Sequence, residues 1–353
     1  MLAYYAHQHG SGHATYAQIF AQCSAYNMPV FTSSKFQFGP NVEVIEMPAE
    51  DPDGTAAEPG IFPPPDYLHY SPVGQKSIQE RSALFLKEIL HRSIRLVIID
   101  VSVEMAALCR AASIPYAYVR LPGNRNDPAH LQAFQGATFL LAYYPADLDG
   151  PEIPQWVKQK TIYTGFFSRF KERSNSITGP EHAVCVFTGS GGNSRLVNYL
   201  PKIAARFSDR MVDIYGNVPK VQYADNICYK GIHPDPQMVM SAAGVVVANC
   251  GLNLTSEILS LGRSFIAIPE DRPYDEQYGM HRFLTSSKLA IDWSTDWDFE
   301  KLAGYKISDV DRFIDQNAPN NMMVWMEHFQ YQPSSLKKSI STWANVPNLS
   351  LIA

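Results

Sequence analysis

The feature that most constrains this chain is a repeated change of period. Short runs that are apolar at almost every position, as in "LVIID", "AVCVF" and "GVVVANC", alternate with longer segments whose apolar residues recur at helical spacing, as in "IQERSALFLKEILHR". A strand that is apolar on both sides has no face for water, and strands separated by helices long enough to cross over pair in parallel. The expected fold class is therefore α/β, with two Rossmann-like, doubly wound parallel-sheet domains. One series of strands and helices fills residues 1–165 and a second fills 181–320. Residues 166–180, "FFSRFKERSNSITGP", are aperiodic and mostly polar and read as the linker. Residues 321–353 open with a helical apolar pattern and form a tail placed to pack back on the first domain.

Composition narrows the function. A chain of 353 residues, 46% hydrophobic and 18% charged, has the make-up of a soluble globular protein of two domains. Its formal charge of −5 contains no block of like charge, so no nucleic-acid partner is expected. No apolar run reaches about 18 residues, and the first residues already read as a core strand. Neither a membrane span nor a leader is expected, and a cytoplasmic location follows. Lys87, Arg92 and Arg95 on one helical segment would allow peripheral membrane contact at most. The five cysteines are scattered and form no CxxC pair, which suits reduced thiols. "HQHGSGH" has no carboxylate or cysteine beside it, so no metal is expected. Residues 51–70 are rich in proline and glycine and too long for a simple connection, which makes them a candidate acceptor lid.

Ligands of such sheets bind beyond the carboxyl ends of the strands. The first strand runs into "HQHGSGHATYA", where Gly10 and Gly12 let a ligand approach the backbone. A dinucleotide fingerprint would need glycine where Thr15 stands and an acidic residue after the second strand, so a nicotinamide cofactor is not expected. His13 opens the first helix. It either takes a proton from a hydroxyl or is a packed or capping histidine. Asp100 ends a buried strand, where a carboxylate caps the next helix or serves a site; strands one and four can be neighbours, which would allow it to pair with His13. In the second half, Gly189, Ser190 and Gly192 form a turn before a helix. Such turns present N–H groups to phosphate, although a merely flexible turn looks the same.

The stretch "ANCGLNLTSEILSLGRSFIAIPEDRPYDEQYG" is more specific. It resembles the donor-binding signature of GT-B nucleotide-sugar glycosyltransferases. The similarity is to the enzymes that decorate small molecules with UDP-sugars and, through "GSGH" and "TGSGG", to the peptidoglycan N-acetylglucosaminyltransferase family. The resemblance implies two domains facing a cleft. It implies His13 as the acceptor-activating base with Asp100 as its carboxylate, and Gly10 and Gly12 on the acceptor side. Gly189, Ser190 and Gly192 would lie near the diphosphate. Asn249, Gly251 and Asn253 would hold the phosphates at a helix start, and Glu257 would bind the ribose hydroxyls. Glu276 and Gln277 would grip the sugar. The chain departs from the signature at Asn249, where histidine is usual, at Leu254 in place of serine, and at Ser264 in place of proline. It also carries one added residue before "EQ". The implied activity is inverting, metal-independent transfer of a sugar from a nucleoside diphosphate, a UDP-sugar, to a small-molecule, glycan or lipid-linked hydroxyl, with no cofactor beyond that co-substrate. The alternatives are a hydrolase or 2-epimerase of the same fold, and a nucleotide-sugar-binding protein without chemistry.

Overall fold

The computed structural model describes residues 1–8, 10–49, 63–170, 183–189, 192, 194–219, 224–263, 265–303, 305, 307 and 310–328. The first half runs β1 (Leu2–Ala6), α1 (Gly12–Cys23), β2 (Val30–Thr32), β3 (Val44–Glu46), α2 (Lys76–His91), β4 (Leu96–Asp100), α3 (Val103–Ala111), β5 (Tyr116–Arg120), α4 (Pro128–Gly136), β6 (Phe139–Ala142), α5 (Gln155–Lys160) and β7 (Thr161–Tyr163). The second half runs β8 (Val184–Phe187), α6 (Ser194–Arg206), β9 (Val212–Tyr215), β10 (Ile227–Gly231), α7 (Pro236–Ala242), β11 (Val245–Ala248), α8 (Leu252–Ser260), β12 (Phe265–Ala267), α9 (Glu276–Ser286), β13 (Ile291–Asp292), α10 (Phe299–Ala303) and α11 (Ala318–His328).

The strands form two sheets, ordered β3-β2-β1-β4-β5-β6-β7 and β10-β9-β8-β11-β12-β13. Every pairing within them is parallel. Both halves are thus wound the same way, and in each the order reverses beside the first strand, between β1 and β4 and between β8 and β11. That reversal opens a crevice at the carboxyl ends of the strands. Apolar residues at every position explain the central strands: β1, β4, β5 and β11 are buried along their whole length. Periodicity along the sequence does not mark α4, α5, α10 and β13, which are helices of nine, six and five residues and a two-residue edge strand, too short to show it. The start of α4 is nonetheless written locally, in an Asp127 cap that accepts from His130 N and in Pro128 in the first turn.

The expected polar linker begins differently. Phe166, Phe167 and Phe170 are core residues, and Phe166 bridges in parallel to Ile314; residues 171–180 lie outside the described ones. One apolar cluster runs through these phenylalanines from Tyr4, Phe20 and Tyr143 to Cys250, Met280 and Met322, so it belongs to both sheets. Phe167 packs edge-on against Tyr16, Phe20 and Tyr143. Helix α11 lies along α1. Its Glu327 accepts from Ser24 Oγ at 2.8 Å, and Arg95 donates to the carbonyls of Met326 and Glu327. Among the described residues no helix is long and apolar enough to cross a membrane.

Candidate active site

The first crevice is built by register. Ala6 pairs with Asp100, so the turn after β1 and the end of β4 emerge side by side. Helix α1 starts at once after that turn and carries His13 over it. His13 Nδ1 lies 2.9 Å from Asp100 Oδ1, with the imidazole 18% exposed and the carboxylate 1%. Tyr4 OH donates to Asp100 Oδ2 at 2.9 Å. The next residue, Val101, sits at φ +69°, a conformation that costs a β-branched residue about 1–3 kcal/mol. This turn lets β4 end in a buried carboxylate while Ser102 caps α3 by accepting from Met105 N. Burial alone would lower the His13 pKa. Asp100, with a smaller contribution from Glu276, outweighs burial and the opposing Arg125, and the net shift is upward.

The second crevice lies between the ends of β8 and β11. Asn249 follows β11, is 1% exposed, and fills the space between two glycines: a Cβ on Gly189 would stand 3.4 Å from its Oδ1 and one on Gly251 3.6 Å. The two helices entering this crevice differ. At α6 the N–H groups of Arg195 and Leu196 donate to the buried carboxylate of Glu270 at 2.9 and 2.8 Å, so an anion already occupies that helix start. These two N–H groups are therefore not open to a phosphate at the turn of Gly189 and Gly192; Ser190 lies outside the described residues. At α8 no side chain caps the first turn. Asn249 Oδ1 and Asn253 Oδ1 are buried there without a hydrogen-bond partner among the described residues. An open helix N-terminus fits an anionic group, and the two amide oxygens beside it, being acceptors, fit hydroxyl or N–H donors on the same ligand.

The remaining expected residues are already engaged. Glu257, on α8, is buried, and its Oε1 is 2.7 Å from Arg169 Nε; burial raises its pKa while Arg169 opposes the shift. Gln277 Oε1 accepts from Cys250 N at 3.0 Å and Glu270 N at 2.9 Å, so it ties together the loops after β11 and β12 and leaves only its amide nitrogen, near Gly251, for a ligand. Glu276 Oε2 pairs at 2.9 Å with Arg125, from the other half, and burial raises its pKa against that pairing. Arg272, in the loop before α9, donates to Gly192 O at 2.7 Å and sets a cation beside the glycine turn. Arg125, Arg169 and Arg272 were not singled out in the sequence. Each acts across a long sequence separation, and no local motif marks such a partner.

The two crevices face each other closely. A Cβ on Gly12 would lie 3.8 Å from Asn253 Cβ, and Tyr16 OH is 3.5 Å from Ser256 Oγ. Gly10, exposed at φ +73°, sets the turn that brings Gly12 there. At the rim, Asn124 N donates to Tyr274 O at 2.8 Å, and Arg125 lies over the Tyr274 ring at 4.4 Å. Gly123 makes this approach possible. Its φ is +101°, and a Cβ would run into Tyr274 O and stand 3.1 Å from Glu276 N. Gly123→Ala is expected to cost about 2 kcal/mol, read as a lower urea midpoint. The control is Gly74→Ala, at φ +82° with open space around it, which carries the backbone strain without the clash.

The fold also gathers His69, Asp127 and His130, whose ligand atoms lie within 4.8 Å of one another. The donor set is committed to itself. Arg125 Nη1, 3.3 Å from His130 Nε2, makes that nitrogen an acceptor and leaves the proton on Nδ1, which donates to Asp127 Oδ2 at 2.6 Å. Burial and Arg125 push the His130 pKa down to about 4, so the ring is neutral near pH 7. A metal on Nδ1 would turn His130 Nε2 into a donor facing another donor, so these residues fit a metal poorly.

No protein-family model matches the sequence, and no curated protein sequence matches it. Solved structures do. UGT2 of Phytolacca americana, complexed with UDP-2-fluoro-glucose and pterostilbene, superposes with a TM-score of 0.56 at 14% identity, over 97% of this chain and 99% of its own. MurG of Acinetobacter baumannii gives 0.52 at 14% identity, over 98% and 99%. The spinosyn rhamnosyltransferase SpnG, complexed with thymidine diphosphate, gives 0.55 at 10% identity, over 98% and 95%. With two parallel sheets wound alike, joined by a shared core and facing each other at their reversal points, this chain has the GT-B fold of these glycosyltransferases.

Proposed function

We propose that the chain is an inverting glycosyltransferase that moves a sugar from a nucleoside diphosphate, a UDP-sugar, to an acceptor hydroxyl. The observation that carries this reading is the juxtaposition of His13, held by Asp100, with the uncapped start of α8 on the opposite wall. In this reading the acceptor O–H gives its proton to His13 while its oxygen attacks the anomeric carbon. The bond from that carbon to the diphosphate breaks on the far side. The negative charge released there meets the α8 dipole, with Arg272 beside it; fixed donors aimed at developing charge are each worth roughly 3 kcal/mol. Glu257 accepts from the ribose hydroxyls, and Glu276 with the Gln277 amide nitrogen faces the sugar. The acceptor, a small molecule, glycan or lipid-linked alcohol, enters on the side of His13 and Gly10. The helix dipole and Arg272 take the part a divalent cation plays elsewhere, and the reaction draws on no cofactor. Incubating the protein with a panel of nucleotide sugars and hydroxyl acceptors tests this, with the anomer of the product read by NMR. A retained anomeric configuration, or no measurable binding of any nucleoside diphosphate, would overturn it; free sugar released without acceptor would identify a hydrolase.

Only neutral His13 can take the proton. Because Asp100 holds the folded-state pKa above the ordinary 6.5, the acid limb of kcat/KM is expected to have its midpoint above pH 6.5. The same sign governs stability. The ion pair contributes fully below pH 6.5, and its contribution is lost as pH rises through the raised value. Asp100→Asn should move the midpoint down while lowering the plateau, as measured by kcat/KM between pH 5 and 9.

A further inference from the structure

We infer that Tyr4 is a positioning residue for the proton-accepting histidine, acting through Asp100 as the inner end of a buried hydroxyl relay. This deepens the proposed function and rests on its assignment of His13 as the base. Tyr4 lies on β1 with its side chain in the core shared by both sheets, and it is fully buried. Its hydroxyl reaches Asp100 Oδ2 at 2.9 Å, on the side of the carboxylate opposite His13. Tyr143 OH stands 3.3 Å from Tyr4 OH. A carboxylate can only accept, so Tyr4 donates to Asp100, and the Tyr143 hydroxyl then donates to Tyr4. The order is Tyr143 to Tyr4 to Asp100, with His13 on the other oxygen.

This arrangement has two consequences. Asp100 has almost no water to share its charge with, and hydrogen bonds from the phenol lower the electron density it can offer the imidazole. Tyr4 thereby holds the histidine less basic than a bare buried carboxylate would make it. It also fixes the carboxylate plane, so Oδ1 stays under Nδ1. Other groups face the same imidazole. Glu276 from α9 favours its charged form, Arg125 from the loop after β5 opposes it, and the His7 ring packs at 5.8 Å. Tyr16 and Tyr118 bear on the surroundings of Asp100 without contacting it through a hydrogen bond among the described residues. Tyr4→Phe removes the hydroxyl that donates to Asp100 without changing any formal charge.

The test is an NMR titration of the His13 ring in the free protein, with its resonances identified by their loss in His13→Gln. In Tyr4→Phe the midpoint should rise by about one pH unit. In Tyr143→Phe it should rise less and in the same direction, because that variant weakens the relay one step away. Circular dichroism checks folding, and if Tyr4→Phe does not fold, the Tyr143→Phe titration decides. An unchanged or lower midpoint would overturn the inference. The titration needs no sugar donor, so a failure here is distinct from a failure to find glycosyl transfer. Where transfer is measured, the acid limb of kcat/KM should move up with the NMR midpoint while donor KM stays constant.

Discussion

In His13→Ala, sugar transfer is expected to fall by about 10²- to 10⁴-fold in kcat, with donor affinity little changed. The buried carboxylate of Asp100, 2.9 Å from the His13 imidazole, stabilises its protonated form and raises its pKa. On the proposed reading, removing the imidazole leaves a hydroxyl nucleophile with no base, whereas the start of α8 and Glu257 would still hold the nucleotide. The loss should therefore appear in kcat and in kcat/KM together, the pattern of an interaction made only in the transition state. His13→Asn keeps much of the volume and should be equally impaired. Isothermal titration with UDP separates the two steps. A His13→Ala enzyme that transfers at the wild-type rate would remove the general base from the mechanism, and one that no longer binds UDP would make the residue part of the donor site.

Glu257→Ala is expected to weaken UDP binding roughly 10- to 100-fold, the range for losing a hydrogen bond to a charged group. Glu257 is buried on α8, one oxygen faces Arg169, and the other has no described partner. Arg169 is 41% exposed and keeps access to water in the variant, so the protein should remain folded. The expectation is specific to the ribose. A nucleotide lacking both ribose hydroxyls should bind the wild type as weakly as UDP binds the variant, and the two changes together should cost no more than either alone, the signature of a direct contact in a double-mutant cycle. Independent, additive losses would place the ribose elsewhere and leave Glu257 as an anchor for Arg169.

The legibility of the site followed the range of the interactions. The turn holding Gly10, Gly12 and His13 and the helix start at Gly251 and Asn253 are local features, and local spacing is visible in a sequence. The closed start of α6 was not, because Glu270 reaches Arg195 and Leu196 from separations of 75 and 74 residues. Nor was the pairing of Glu276 with Arg125, 151 residues apart and drawn from different sheets. The segment from Phe166 to Phe170 shows the same limit for packing. Three phenylalanines among polar neighbours carry no period, yet they join the two cores.

Alternating periods were enough to determine the class of fold, because a strand apolar on both sides must be covered by helices on both sides, and two such series must form two wound sheets. Residue types at the strand ends marked where chemistry could sit. Only the tertiary structure decided which carboxylate meets which cation, which helix start stays open, and how near the two crevices come. Those outcomes depend on the register of β1 against β4 and on the few ångströms of space left at Gly12 and Gly123. Both arise from long-range packing that no stretch of chain contains by itself.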